Sequence, residues 1–225
     1  MRTARSDLPP RVSIIQSELD RFSSARYLEV GIFDGLVFLN VEAETKVAVD
    51  PEIRIPRLRR LRASMRTGVA IHEVPSDEYF SQLEPQTFFD VVFVDGLHLY
   101  EQALRDTENA LDHLADQGVI LIHDCNPTAE AVASRDPDEA VRNGHRAWCG
   151  DVWKAVVHLR ATRSDLEVSV MDTDFGIGIV RRGNSNVSLD LDLSVIEELE
   201  YADLDEHREK FLGLRPTPPS TSSRL

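Results

Sequence analysis

Four short apolar runs in this chain end on the same kinds of residue, and no other feature constrains the fold as strongly. The runs lie in LEVGIFDG (28–35), VAVD (47–50), FDVVFVDGLH (89–98) and GVILIHDCNP (118–127). Each is rich in β-branched residues and gives way at its carboxyl end to glycine or a carboxylate. Segment 89–94 is almost wholly apolar, as a strand buried on both faces must be. Between the runs lie amphipathic stretches, and strands alternating with helices make a mainly parallel, helix-covered sheet.

Strands are expected at 27–30, 46–49, 69–74, 89–94 and 119–122, followed by a hairpin of 166–171 with 176–180 across the turn 172–175. Helices are expected at 12–22, briefly at 37–41, and at 99–114. The inner stripe of the 99–114 helix is Ala103, Leu104, Ala110, Leu111 and Leu114. Another helix is expected at 151–161 with Asp151 as its N-cap, and a last, strongly charged one at 195–212. Leu58 and Leu61 have helical spacing within the basic run 57–66, which reads as a solvated helix face. Segment 126–150 is polar and without periodicity, the pattern of a lid. Residues 1–212 are thus expected to form one domain, and the Pro/Ser/Thr-rich 213–225 a disordered tail.

Charge narrows the partners. The 225 residues carry 39 Asp+Glu against 25 Lys+Arg, a net charge of −14. Such a surface repels nucleic acid and anionic membranes. No apolar run approaches the ~20 residues that span a bilayer. The first dozen residues lack the apolar stretch of a secretory signal. Cys125 and Cys149 are too few for a disulfide framework, and they read as reduced thiols of a cytoplasmic protein.

Open α/β sheets bind ligands at the carboxyl ends of their strands, so the tips are the candidate site. Gly31 and Gly35 after the first strand allow a tight turn and close backbone approach. Their G-x-x-x-G spacing is not the G-x-G-x-x-G of dinucleotide binders, which argues against a nicotinamide dehydrogenase. Asp50, ending the second strand, is placed to accept hydrogen bonds from ribose hydroxyls, or to serve as a turn residue before Pro51. Ser76 and Asp77 follow the third strand and are placed either to reach an adenine or to cap a helix. Asp95 and Asp124 end neighbouring strands ~4.8 Å apart, where two carboxylates need a proton or a cation between them. Two arrangements stay open: Asp95, His123 and Asp124 around Mg²⁺ or another hard divalent ion, or a His–Asp pair without metal. His98 or His123 would then take the acceptor proton.

Taken together, these motifs resemble class I S-adenosylmethionine-dependent methyltransferases over residues 12–182. The resemblance implies a Rossmann-like three-layer α/β sandwich with a seven-stranded, mainly parallel sheet of order 3-2-1-4-5-7-6, closed by a C-terminal antiparallel hairpin. It implies S-adenosylmethionine as cofactor, with Glu29, Gly31 and Phe33 lining its methionine side and Asp50 its ribose. Asp95, His98 and Asp124 are similar in position to residues of metal-dependent small-molecule O-methyltransferases, of the catechol type and the type that methylates sugars in natural products. His123 stands where the sugar type has a carboxylate, and Cys125 where the catechol type has an amide. The implied activity is methyl transfer to a hydroxyl of a small-molecule acceptor, with Asp95 and His98 as catalytic residues. The alternatives are a metal-independent N- or carboxyl-methyltransferase and a non-catalytic S-adenosylmethionine-binding protein. The charged last helix offers a face for a homodimer.

Overall fold

The computed structural model describes residues 8–185 and 189–217. In chain order its elements are α1 (Pro10–Leu19), β1 (Arg26–Val30), β2 (Thr45–Val49), α2 (Arg57–Ser64), β3 (Val69–His72), α3 (Ser76–Ser81), β4 (Phe89–Val94) and α4 (Tyr100–Asp112). Then come β5 (Leu114–Ile122), α5 (Glu130–Ala133), α6 (Pro137–Arg142), α7 (Trp153–Thr162), β6 (Leu166–Met171), β7 (Ile177–Arg182), α8 (Leu193–Glu198), α9 (Tyr201–Leu212) and β8 (Leu214–Arg215). The sheet order is β3-β2-β1-β4-β5-β7-β6-β8. Strands β1 to β5 run parallel, and β7 is antiparallel to both β5 and β6. This is the expected Rossmann-like order with one strand added at the edge.

Alternation along the strands splits the core in two, because successive side chains point to opposite faces. Leu28, Val30, Val92, Val94, Ile120 and Ile122 meet α3, α4, α7 and α9 on one face. Tyr27, Val91, Phe93, Val119 and Leu121 meet Val12, Ile15 and Leu19 of α1 on the other. Every residue of β4 is buried. At about 1.5–3 kcal/mol for each large apolar side chain removed from water, β4 is a principal anchor for the strand tips. Among the described residues no helix is long and apolar enough to cross a membrane.

Several local expectations are corrected. Segment 37–41 is a series of turns closed by bonds such as Leu39 N to the Gly35 carbonyl, not a helix. β3 stops at His72, and Leu114 begins β5 instead of ending α4. Asp151 does not cap its own helix, because α7 starts at Trp153. Its Oδ1 instead accepts from the Tyr100 amide at 2.7 Å, satisfying an orphan donor at the start of α4. Segment 126–150 contains α5 and α6. The last helix is broken at Leu199, because Glu200 and Asp203 form a capping box that starts a new helix. The expected tail begins as structure: Leu214 and Arg215 pair in parallel with Val170 and Met171 of β6, while residues 218–225 lie outside the described residues.

Candidate active site

The loop leaving β1 is shaped by its closeness to β4. Gly31 has φ +86°, and a Cβ built on it would lie 2.0 Å from the Asp95 carbonyl oxygen. Only glycine lets the two loops approach so closely. Asp50, at the tip of β2, closes this loop from the other side: one carboxylate oxygen accepts from the Phe33 amide at 2.9 Å and the other from the Glu52 amide at 2.7 Å. Each oxygen keeps a second lone pair for a ligand, and the residue is half-buried. Phe33 is exposed, with φ +44° and the Arg54 guanidinium 4.9 Å from its ring centre.

Glu29 lies beneath this loop, not in it. Its carboxyl is buried and accepts from the Tyr27 hydroxyl at 2.7 Å. Burial pushes its pKa up to about 8, with the negative charge of Asp95 acting in the same direction. Ser76 and Asp77 open α3 and face α4: the Gln102 amide lies 3.2 Å from the Ser76 hydroxyl, and Arg105 lies 3.3 Å from Asp77. Ser76 is half-buried and Asp77 exposed.

The tips of β4 and β5 carry an acid–imidazole cluster. His123 Nδ1 is 3.1 Å from Asp95 Oδ1 and 3.2 Å from Asp124 Oδ2. His98 Nε2 lies 3.5 Å from Asp95, and its Nδ1 lies 3.3 Å from Asp124. That Nδ1 also meets the Trp148 carbonyl at 2.8 Å. A carbonyl only accepts, so Nδ1 carries the proton. Burial disfavours charge on either imidazole, but the carboxylates outweigh it, raising the His98 pKa and pushing His123 up to about 12. The same contacts hold Asp95 below the usual carboxylate range in spite of its own burial.

Sequence reasoning missed two members of this cluster. Asp174, in the β6–β7 turn, reaches within 3.8 Å of His123 Nε2 and is gripped by the amide and guanidinium of Arg11 from α1. Against its burial, His123 and Arg11 hold its pKa down at about 2. Arg11 and Asp174 stand 163 positions apart, and only the φ tolerance of Asp in a tight turn marked the second. Cys149, read as a bystander, places its thiol 3.3 Å from Asp124.

The end of segment 126–150 packs against this cluster. The Trp148 ring stacks on His98 with centroids 4.9 Å apart, and its indole N–H donates to the Ser134 carbonyl at 2.6 Å. The Gly150 backbone touches the His98 carbonyl so tightly that a Cβ there would lie 1.8 Å from it.

Asp95, His98 and Asp124 each offer one ligand atom, all within 4.8 Å of one another. These are donors that hard divalent ions accept. In this conformation the His123 Nδ1 lies against both carboxylates.

Residues 28–125, a little under half of the chain, match the family model of the methyltransferase domain. Over that span the chain is similar to a methyltransferase domain. The matched span takes in Glu29, Gly31, Asp50, Asp95, His98, His123 and Asp124, and it ends just before segment 126–150. The domain's fold is similar to that of SAH-bound Podospora anserina methyltransferase PaMTH1, with a TM-score of 0.61 and 20% identity over 77% of this chain and 78% of that one. It is similar to the O-methyltransferase from Bacillus cereus in complex with SAH, with a TM-score of 0.58 and 15% identity over 80% and 84%. It is also similar to the O-methyltransferase TomG from Streptomyces achromogenes, involved in tomaymycin synthesis and complexed with SAM, with a TM-score of 0.55 and 16% identity over 78% and 80%. No curated protein is significantly similar in sequence.

Proposed function

We propose that this methyltransferase domain uses S-adenosylmethionine to methylate a hydroxyl group of a small molecule, such as a sugar or natural-product scaffold. The observation that carries this reading is the adjacency of two half-sites. β2, β1, β4 and β5 are neighbours in the sheet, so the Gly31–Asp50 loop lies directly beside the acid–imidazole cluster. Neighbours of the same fold bind SAM or SAH, and two of those compared are O-methyltransferases.

The residues fit the cofactor. Asp50 has acceptor capacity for ribose hydroxyls, and Gly31 brings the β1 loop against the β4 loop beside it. When bound, S-adenosylmethionine supplies a methyl carbon that the sulfonium makes electrophilic. Asp95 places negative charge at the end of β4, where a sulfonium is attracted. Asp95 and Asp124 raise the His98 pKa against its burial. With its Nδ1 proton held by the Trp148 carbonyl, a neutral His98 would take the acceptor's hydroxyl proton at Nε2, while bound S-adenosylmethionine would supply the methyl group and leave as the thioether. Trp148 stacks on that imidazole and fixes its orientation through the Nδ1 hydrogen bond.

The test combines titration calorimetry with S-adenosylmethionine and mass-spectrometric detection of methylated products from a panel of hydroxyl, amine and carboxylate acceptors. Asp50→Ala is expected to weaken cofactor binding ~100-fold or more, since it removes a doubly anchored carboxylate. His98→Gln is expected to leave cofactor binding intact and cut turnover ~10²-fold. Unchanged affinity in the first variant, or unchanged turnover in the second, refutes the assignment. A second reading, with a divalent cation among Asp95, His98 and Asp124, draws on their 4.8 Å grouping. Activity lost on chelation and restored by Mg²⁺ would select it.

A further inference from the structure

The basic run of α2 does not simply face solvent. It borders a cavity of about 320 Å³ lined by Phe38, Leu39, Lys46, Arg59, Arg62, Ala63, Arg66 and Val69. Lys46 and Val69 lie at the starts of β2 and β3, so this cavity sits at the sheet edge opposite the strand tips. Arg59, Arg62 and Arg66 are spaced i, i+3, i+7 and share one side of the helix and its continuation. Arg66 has Glu42 at 3.2 Å, but among the described residues Arg59 and Arg62 have no carboxylate partner. In a chain of net charge −14, unmatched guanidinium groups side by side are a local exception.

The helix is also charged against its own dipole. Its first turn holds Arg57, Arg59 and Arg60 and no acid, although positive charge is unfavourable at a helix N-terminus. A local rule broken without a structural gain points to function. The cavity floor supplies an independent observation. Lys46 is buried, its ammonium donates to the Phe38 and Val41 carbonyls, and it lies 4.6 Å from the Phe38 ring centre. An ammonium has three protons, and these two bonds use two of them. Burial pushes its pKa down to about 8, partly countered by Glu42 and Glu29. An anion in the cavity would stabilise the charged form.

We propose that this cavity is a binding site for a small molecule that joins a phosphate group to an apolar portion. Arg59, Arg62 and Arg66 hold the phosphate at the rim, and Leu39, Ala63 and Val69 cover the apolar part. Guanidinium pairs suit a phosphate through parallel N–H donors, and the floor offers the surface a purely solvated anion site would lack. The site is separate from the methyl-transfer site and does not depend on that reading.

The experiment is titration calorimetry of the whole chain with hexyl phosphate, with inorganic phosphate, and with vesicles containing anionic lipid. Hexyl phosphate is expected to bind ~10-fold or more tightly than inorganic phosphate, because only it fills the apolar floor. The exposed double substitution Arg59→Glu with Arg62→Glu is expected to abolish binding, with the circular dichroism spectrum and S-adenosylmethionine affinity unchanged. Three results would overturn the proposal: no heat with either phosphate, equal binding by the double variant, or binding to vesicles alone. The last would make the arginines and the exposed Leu58, Leu61 and Met65 a membrane-facing surface instead.

Discussion

The two ends of the sheet handle charge in opposite ways. At the carboxyl ends of β4 and β5, Asp95 and Asp124 share two imidazoles, and Asp174 and Arg11 extend the set through His123. At the amino ends, Arg26 and Asp90 form a single pair at 2.8 Å, while Arg59 and Arg62 stand unmatched beside a cavity. A shared network makes each group's state depend on several others; an isolated pair answers only for itself. Catalytic reading and structural fragility therefore coincide at one end, and local, additive behaviour belongs to the other.

The largest effect is expected where the network's backbone is closest. Gly31→Ala drives a Cβ to within 2.0 Å of the Asp95 carbonyl at φ +86°, with backbone on both sides and no room to relax. Destabilisation beyond about 4 kcal/mol by urea unfolding is expected. Gly35→Ala is the control: φ is +78°, but its Cβ would meet the tip of the Ile55 side chain, which can move. Its expected cost is about 1–3 kcal/mol, mainly backbone strain. Equal losses in the two variants would remove the claim that the β1 and β4 loops are locked together at Gly31.

Next in size is Asp95→Asn, which withdraws the charge shared by His98 and His123. A loss of about 3 kcal/mol is expected, with the His98 pKa falling toward its ordinary value in an NMR titration. A double-mutant cycle with His98→Gln is expected to show coupling of about 1 kcal/mol or more. Additive losses there would erase the distinction between the two ends.

The same contrast explains what the sequence disclosed. β4 is readable to the residue because a doubly buried strand leaves an unbroken apolar run, and the glycines and carboxylates at the strand tips mark the cleft. Asp151 misleads because an Asp before a helix is a local capping signal, whereas its actual partner, the Tyr100 amide, lies 51 positions away. The break between α8 and α9 hides in a continuous acidic stretch, since Glu200 and Asp203 read as surface charge until they cap one another. α5 and α6 have four and six residues, too short for a helical period to show. The clasp of Trp148 on His98 has no sequence signature, since the His98 Nδ1–H donates to a backbone carbonyl.

The smallest expected effect tests the isolated pair. Asp90 accepts from the Arg26 amide and from two guanidinium nitrogens, all at 2.8–2.9 Å, and Arg26 is partly exposed. Burial alone would raise the Asp90 pKa, but Arg26 outweighs it and holds the carboxyl below its ordinary value. A carboxyl whose folded pKa is depressed stabilises the protein above its unfolded pKa near 4, and that stability is lost as pH falls through the folded value. Asp90→Asn is therefore expected to cost about 1 kcal/mol at neutral pH. Below both pKa values Asp90 is itself uncharged, so the gap between wild type and variant should close. A gap that persisted in acid would mean that hydrogen-bond geometry, not charge, carries the pair. A gap well above 1 kcal/mol at neutral pH would mean that Arg26 and Asp90 are tied into a wider network, as the carboxylates at the opposite edge are.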